Sequence, residues 1–142
     1  MKTSARNQFH GKVTQIKSGA VNDEIDIELP GGDKLVAVIT RESTEDLRLA
    51  VGKEVIALIK APWVIVATGD ENIKLSARNR LAGNVAKLTP GAVNTEVIIQ
   101  LSGGNTVCAI ITNSSATELA LAPGKPATAI FKASHVIVGV PA

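Results

Sequence analysis

Ser4-Ala5-Arg6-Asn7 recurs 72 residues later as Ser76-Ala77-Arg78-Asn79, and each time a glycine follows five residues after the arginine (Gly11 and Gly83). Two further segments recur at the same offset. Lys60-Ala61 becomes Lys132-Ala133, and Gly19-Ala20-Val21-Asn22 becomes Gly91-Ala92-Val93-Asn94. The recurring polar groups are mostly donors: a hydroxyl, a guanidinium, an ammonium and an amide. Their small neighbours let backbone N–H groups approach a ligand. Donors in excess with few acceptors describe a pocket for a small oxyanion. Arg supplies a planar fork of N–H groups and Lys a point charge. A buried dianion is costly to desolvate, so every oxygen needs a partner. The same residues also suit surface ion pairs, with Ser4 merely opening a strand. Spacing alone leaves both readings open.

Other chemistries are poorly supplied. A nucleophilic triad needs a base beside its nucleophile. The two histidines, His10 and His135, do not recur; Ala82 and Trp63 stand in the equivalent places. Of the carboxylates only Glu24 recurs unchanged, as Glu96, which gives no acid–base pair. "PGGDK" and "SGGNT" lie between strands, so they are not phosphate-binding loops. No catalytic residue is assigned, and the chain is not expected to be an enzyme. One cysteine (Cys108) and two unrelated histidines cannot supply a transition-metal cation site. Cys108 reads as a small buried hydrophobe. A single-strand-binding surface stacks bases on aromatics in a basic groove. Three aromatics (Phe9, Trp63, Phe131) and a net charge of +2 argue against nucleic acid as partner.

At 45% hydrophobic and 20% charged, the chain should be globular. No apolar stretch approaches the roughly 18 residues that span a bilayer, so no membrane partner is expected. The first ten residues lack the apolar region of a secretory signal. A lone cysteine fits a reducing compartment. A cytoplasmic location is the expectation.

The elements that must position the recurring donors are strands. Shifted by 72, about 31 of the first 70 residues match their counterparts without a gap. The chain is a tandem duplication, read as one domain over 1–69 and a second over 73–142, with the boundary in Thr68–Lys74. In each half, "GKVTQIKSG", "EIDIELP", "LVAVIT", "EVIALIK" and "WVIVA", or their counterparts, read as five strands. Ile25, Ile27 and Leu29 should share one face. The Gly pairs make hairpin turns. Ser43 with Asp46, and Ser115 with Glu118, resemble capping boxes that start a short helix, ended near Gly52 and Gly124. The fold class is therefore all-β: two tandem five-stranded OB-like barrels, each with a short helix between strands 3 and 4. A barrel of this size buries a marginal core. The leftover "VIV" runs should bury surface against the other half or against other chains.

"SARN" with its downstream glycine, "GAVN", "GG", the Lys-Ala pair and "VIV", all written twice, resemble the Mop domain of molybdate-binding proteins. The two copies resemble the di-Mop molbindins over essentially the whole chain. The resemblance implies an OB-like barrel that assembles into a six-domain ring, reached by a di-Mop chain as a homo-oligomer, a trimer. It implies molybdate or tungstate as ligand, bound without further cofactor in pockets between domains. One kind of pocket would join Ser4, Ala5 and Arg6, or Ser76, Ala77 and Arg78, to a Lys segment of another domain. That segment would be Lys60-Ala61-Pro62 or Lys132-Ala133-Ser134. A second kind, near the three-fold axis, would use Gly19, Ala20, Val21 and Asn22, or Gly91, Ala92, Val93 and Asn94. The family pattern places Ser or Thr two residues after the Lys. Ser134 obeys and Pro62 departs, lacking both a hydroxyl and an N–H. The implied role is storage and homeostasis of intracellular molybdate. The alternatives are an OB-type nucleic-acid-binding module and a scaffold whose Arg and Lys pair with carboxylates.

Oligomerisation is expected from the small size of each barrel. Gel filtration at micromolar concentration should give a multiple of the chain mass; a monomeric mass contradicts it.

Overall fold

The computed structural model describes residues 1–69 and 72–141. Asp70 and Glu71, inside the expected boundary segment, and Ala142, at the end of the second expected domain, lie outside the described residues.

Each repeat folds into the same run of elements. The first contains β1 (Asn7–Ser18), β2 (Asn22–Glu28), β3 (Lys34–Thr40), α1 (Arg41–Asp46), β4 (Glu54–Ile59), a 3-10 turn at Ala61–Trp63, and β5 (Ile65–Ala67). The second contains β6 (Asn79–Pro90), β7 (Asn94–Leu101), β8 (Thr106–Thr112), α2 (Asn113–Glu118), β9 (Pro126–Phe131), a 3-10 turn at Ala133–His135, and β10 (Ile137–Gly139). Alternation drives the strands. Ile25, Ile27 and Leu29 are buried, as are Leu35 and Ala37 on β3 and Val55, Ala57 and Ile59 on β4.

The long first strand curls each sheet. β1 pairs with β4 through Asn7–Lys12 and with β2 through Lys12–Ser18. Its register slips between Val13 and Gln15; β6 slips likewise between Val85 and Lys87. An extra residue there bends the strand and sharpens its twist, so one strand serves two neighbours. The result is two five-stranded curled sheets, the expected OB-like all-β architecture.

The fifth strand does not stay with its own repeat. The strand orders are β10-β4-β1-β2-β3 and β5-β9-β6-β7-β8. Ile137, Val138 and Gly139 pair with Leu58, Ala57 and Ile56, while Ile65, Val66 and Ala67 pair with Ile130, Ala129 and Thr128. Each repeat thus lends its last strand to the other's sheet. Val64, Val66, Val136 and Val138 join one apolar cluster drawn from both repeats. The "VIV" runs do bury surface against the other half.

The helix caps differ from expectation. Thr40, not Ser43, is the N-cap of α1, its side chain accepting from the Ser43 N–H at 3.1 Å; Thr112 does the same for Ser115. The helices therefore begin three residues earlier than a Ser43 or Ser115 cap would place them. They end at Leu47 and Leu119, followed by Arg48 (φ 52°) and Ala120 (φ 50°) in the left-handed region. Lys53 Nζ bonds the carbonyls of Leu47 and Arg48 at 2.9 and 3.2 Å, and Lys125 Nζ those of Leu119 and Ala120 at 3.0 and 3.1 Å. A lysine ammonium at the last carbonyls replaces the glycine stop that the sequence suggested. Gly52 and Gly124 serve the turn that follows.

Two asparagines tie the repeats together. Asn79 is buried; its Oδ1 accepts from the Val36 N–H at 2.8 Å and its Nδ2 donates to the Val36 carbonyl at 2.7 Å. Asn7 does the same to Cys108, at 2.7 and 2.8 Å. Val36 and Cys108 lie on β3 and β8, the edge strands of the two sheets. Each amide side chain caps a free edge as a further strand would. Replacing Asn79 by Ala leaves the Val36 backbone groups without partners. The expected loss is about 2–3 kcal/mol of unfolding free energy, measured by urea denaturation.

Candidate functional site

The strand register brings the recurring donors to one end of each sheet. Asn7 pairs with Ile59, so Arg6 and Lys60 are the next residues past the same strand ends. Asn79 pairs with Phe131, which sets Arg78 beside Lys132 in the same way. Ser4, Arg6 and Lys60 are exposed, as are Ser76, Arg78, Lys132 and Ser134. Ala61 and Ala133 are buried, and Ala5 and Ala77 half-buried. The small residues let the chain turn tightly while the donors face outward. Within the chain, each "SARN" segment thus lies next to the Lys segment of its own repeat.

What reaches across from the other repeat is a carboxylate. Arg6 Nη2 donates to Glu96 Oε1 at 2.6 Å, and Arg78 Nη1 forms an ion pair with Glu24 Oε1. Lys17 Nζ also lies 3.3 Å from Glu24 Oε2. The hydrogen bond to Glu96 raises the Arg6 pKa above its ordinary value, with smaller contributions from the charges of Cys108 and Glu96. The guanidinium stays charged at any working pH. The recurrence of Glu24 as Glu96 was visible in the sequence, but its partner was not.

The two 3-10 turns meet. The Trp63 and His135 rings stack with centroids 4.7 Å apart at 38°, and Lys60 Nζ lies 5.5 Å from the Trp63 ring centroid. Trp63 and His135 are equivalent positions of the two repeats, so they are packing residues at the junction. Lys60 rests partly on an aromatic face, whereas Lys132 has His135 in the equivalent place.

The "GAVN" turns are exposed in both repeats, with Val21 at 72% and Val93 at 71%. Some of their donors are already used. The Gly19 N–H donates to Asp23 Oδ1 at 3.1 Å, and the Gly91 N–H to the Asn94 carbonyl at 2.7 Å. Gly19 and Gly91 shape the turn; the amides of Ala20, Val21, Ala92 and Val93 face less competition. Asn22 and Ser134, expected in different pockets, line one cleft of about 540 Å³ with Thr40, Ser43 and Asp46. No group of three or more His, Cys, Asp or Glu able to hold a cation occurs among the described residues.

Comparison with known proteins names the architecture. The TOBE domain family matches twice, over residues 3–66 and 75–138. The chain belongs to the TOBE-domain family. It is 50% identical over 141 residues to the molybdenum-pterin-binding protein MopA of Rhodobacter capsulatus, covering 99% of this chain and 53% of MopA. It is 47% identical over 140 residues to the molybdenum transport protein ModE of Azotobacter vinelandii, covering 99% of this chain and 52% of ModE. The chain thus spans about half the length of these curated relatives. Among solved structures, the cytoplasmic molybdate-binding protein ModG, in a form with molybdate bound, is 53% identical with a TM-score of 0.95, covering 99% of this chain and 100% of that one. The tandem Mop resemblance is borne out, as is the fold. Among the described residues of this TOBE pair, no helix is long and apolar enough to cross a membrane.

One buried group beside Arg6 titrates abnormally. Burial, and then the charge of Glu96, push the Cys108 thiol above its ordinary value, partly offset by Arg6. A raised folded-state pKa stabilises the fold below the unfolded value and loses that stabilisation as pH rises through the folded value. Stability should fall between about pH 8 and the higher folded value. Cys108→Val, which installs the residue of Val36, should remove that fall; urea unfolding near pH 7.5 and 9.5 measures it.

Proposed function

We propose that the chain binds molybdate, or tungstate, as an oxyanion and without a cofactor. The observation that carries this reading is the register that sets Arg6 next to Lys60, and Arg78 next to Lys132, at the same sheet end of both repeats, in a chain that matches molybdate-bound ModG end to end. In the first kind of pocket Ser4, Ala5 and Arg6, or Ser76, Ala77 and Arg78, supply half the donors. Lys60-Ala61, or Lys132-Ala133-Ser134, supplies the other half. A tetrahedral dianion receives charge-assisted hydrogen bonds from both halves. In the second kind, the exposed turns Gly19–Asn22 and Gly91–Asn94 offer backbone amides.

The same reading includes assembly. Val21, Val93, Ile65 and Ile137 are apolar and exposed, which supports a homo-oligomer. A trimer of this chain makes a six-domain ring in which a Lys segment of one chain faces "SARN" of the next. The role is non-enzymatic, a cytoplasmic store or buffer. ModG, the relative of matching length, is described as a cytoplasmic molybdate-binding protein. A second reading is a scaffold module. The Arg6–Glu96 and Arg78–Glu24 pairs favour it, because both arginines already hold carboxylates.

Equilibrium dialysis against molybdate, tungstate, sulfate and phosphate separates the two: selective uptake of the first two is expected, and none under the scaffold reading. The pockets should be unequal. Pro62 in place of a Ser134-like residue removes up to two donors, each worth roughly 1.5–3 kcal/mol to a charged ligand. Calorimetry should show a larger loss of molybdate affinity from Lys132→Ala than from Lys60→Ala. Bound anion should also raise the melting temperature.

A further inference from the structure

Both "SARN" arginines are fixed at their base and at their head by the opposite repeat. At the base, Asn7 and Asn79 lock the adjacent backbone to Cys108 and Val36. At the head, Glu96 and Glu24 hold one guanidinium nitrogen each. The carboxylates are the more enclosed partners: the Glu96 side chain is 27% exposed against 50% for Arg6, and Glu24 is 12% exposed against 55% for Arg78. The enclosed member sets the position and the exposed member takes it. Among the described residues Arg6 is held through Nη2 in its hydrogen bonds, so the rest of its planar fork remains to face an anion. A free arginine would have to give up its rotamer freedom on meeting a ligand. One already oriented has given most of it up.

We propose that Glu96 and Glu24 are positioning residues that aim Arg6 and Arg78 at the bound oxyanion from across the repeat boundary. The inference rests on the oxyanion reading above and assigns a role to the acid that recurs in both halves. It has a competitor in simple electrostatics, since a carboxylate near a dianion repels it. The two differ in sign. Positioning makes removal of Glu96 weaken binding; repulsion makes it strengthen binding. The greater enclosure of each carboxylate and its pairing with the guanidinium favour positioning, because the paired positive charge offsets the carboxylate's repulsion of an anion. Glu96 is the cleaner residue to test, because Glu24 also holds Lys17 and the equivalent of Lys17 is Thr89.

The test is calorimetric titration of the full chain with molybdate. The variants are Glu96→Ala, Glu96→Gln, Arg6→Ala and the double variant Arg6→Ala/Glu96→Ala, each with a melting curve to verify folding. Glu96→Ala should weaken the affected pocket by about tenfold. Glu96→Gln keeps an acceptor oxygen for the guanidinium and should return affinity to within about twofold of the unaltered chain. The double variant should bind no more weakly than Arg6→Ala alone, because the glutamate acts through the arginine. Tighter binding in both Glu96 variants overturns the proposal in favour of repulsion. A Glu96→Ala loss that persists in the Arg6→Ala background also overturns it, because the glutamate then acts without the arginine. Loss in Arg6→Ala with none in Glu96→Ala overturns the positioning role and leaves the oxyanion reading standing. Wild-type affinity in Arg6→Ala overturns the arginine's role in that reading, and this proposal with it.

Discussion

The structure depends on two buried asparagine amides that face the wrong sheet. A carboxamide has one acceptor and two donors on a short stem. When buried it must satisfy them or incur a large desolvation penalty. Asn7 and Asn79 do so on the free edges of β8 and β3, using the backbone N–H and C=O of Cys108 and Val36. That single requirement fixes the separation and register of the two repeats. The exchanged strands β5 and β10 then complete each other's sheets, and the hairpin tips come together. Gly31 is obligatory at the tip: its φ is 87°, and a Cβ there would collide with the Gly103 carbonyl oxygen. Asp33 accepts from the Gly103 N–H at 2.9 Å and from Asn105 Nδ2 at 2.8 Å, closing the tip contact.

The clamp explains why the donor segments sit where they do. Asn7 and Asn79 are the last letters of "SARN". The residue that docks the repeats is therefore adjacent to the one that carries the positive charge. Arg6 cannot move far without disturbing the Asn7–Cys108 contact, and its head is held by Glu96 from the same opposite repeat. The proposed anion donors and the docking asparagine share four residues of chain. This economy suits a small domain, whose core alone is marginal.

The two halves are one scaffold with different fittings. Pro62 corresponds to Ser134, Trp63 to His135, Val36 to Cys108 and Lys17 to Thr89 at the 72-residue offset. None of these changes disturbs the strands. All lie near the donor-bearing ends or the pairs that hold them. Duplication preserved what the backbone needs and let the surroundings of the two arginines diverge. Glu24 serves two cations where Glu96 serves one, and Lys60 rests on an aromatic ring where Lys132 does not.

The sequence by itself determined the duplication, the strand pattern, the donor inventory and the poverty of catalytic or cation-binding groups. Alternation at Ile25, Ile27 and Leu29 is a local signal, because a strand's side chains face alternate sides whatever its neighbours are. The helix caps were misplaced by a local ambiguity: Thr40 and Ser43 are both good N-caps, and only the observed backbone says which one accepts. The strand exchange was not legible. "VIV" is written identically in both halves and fits either sheet equally well. The 3-10 turns and the packing at Trp63 and His135 decide which sheet receives it. The asparagine clamp was invisible for a related reason: its partners are backbone groups, which Val36 and Cys108 supply equally, so no side-chain signature marks them. The Arg–Glu pairs span 90 and 54 residues and exist only because tertiary structure folds one repeat against the other. Sequence fixes which groups are present. Their directions come from contacts between segments far apart in the chain, and those only the folded molecule specifies.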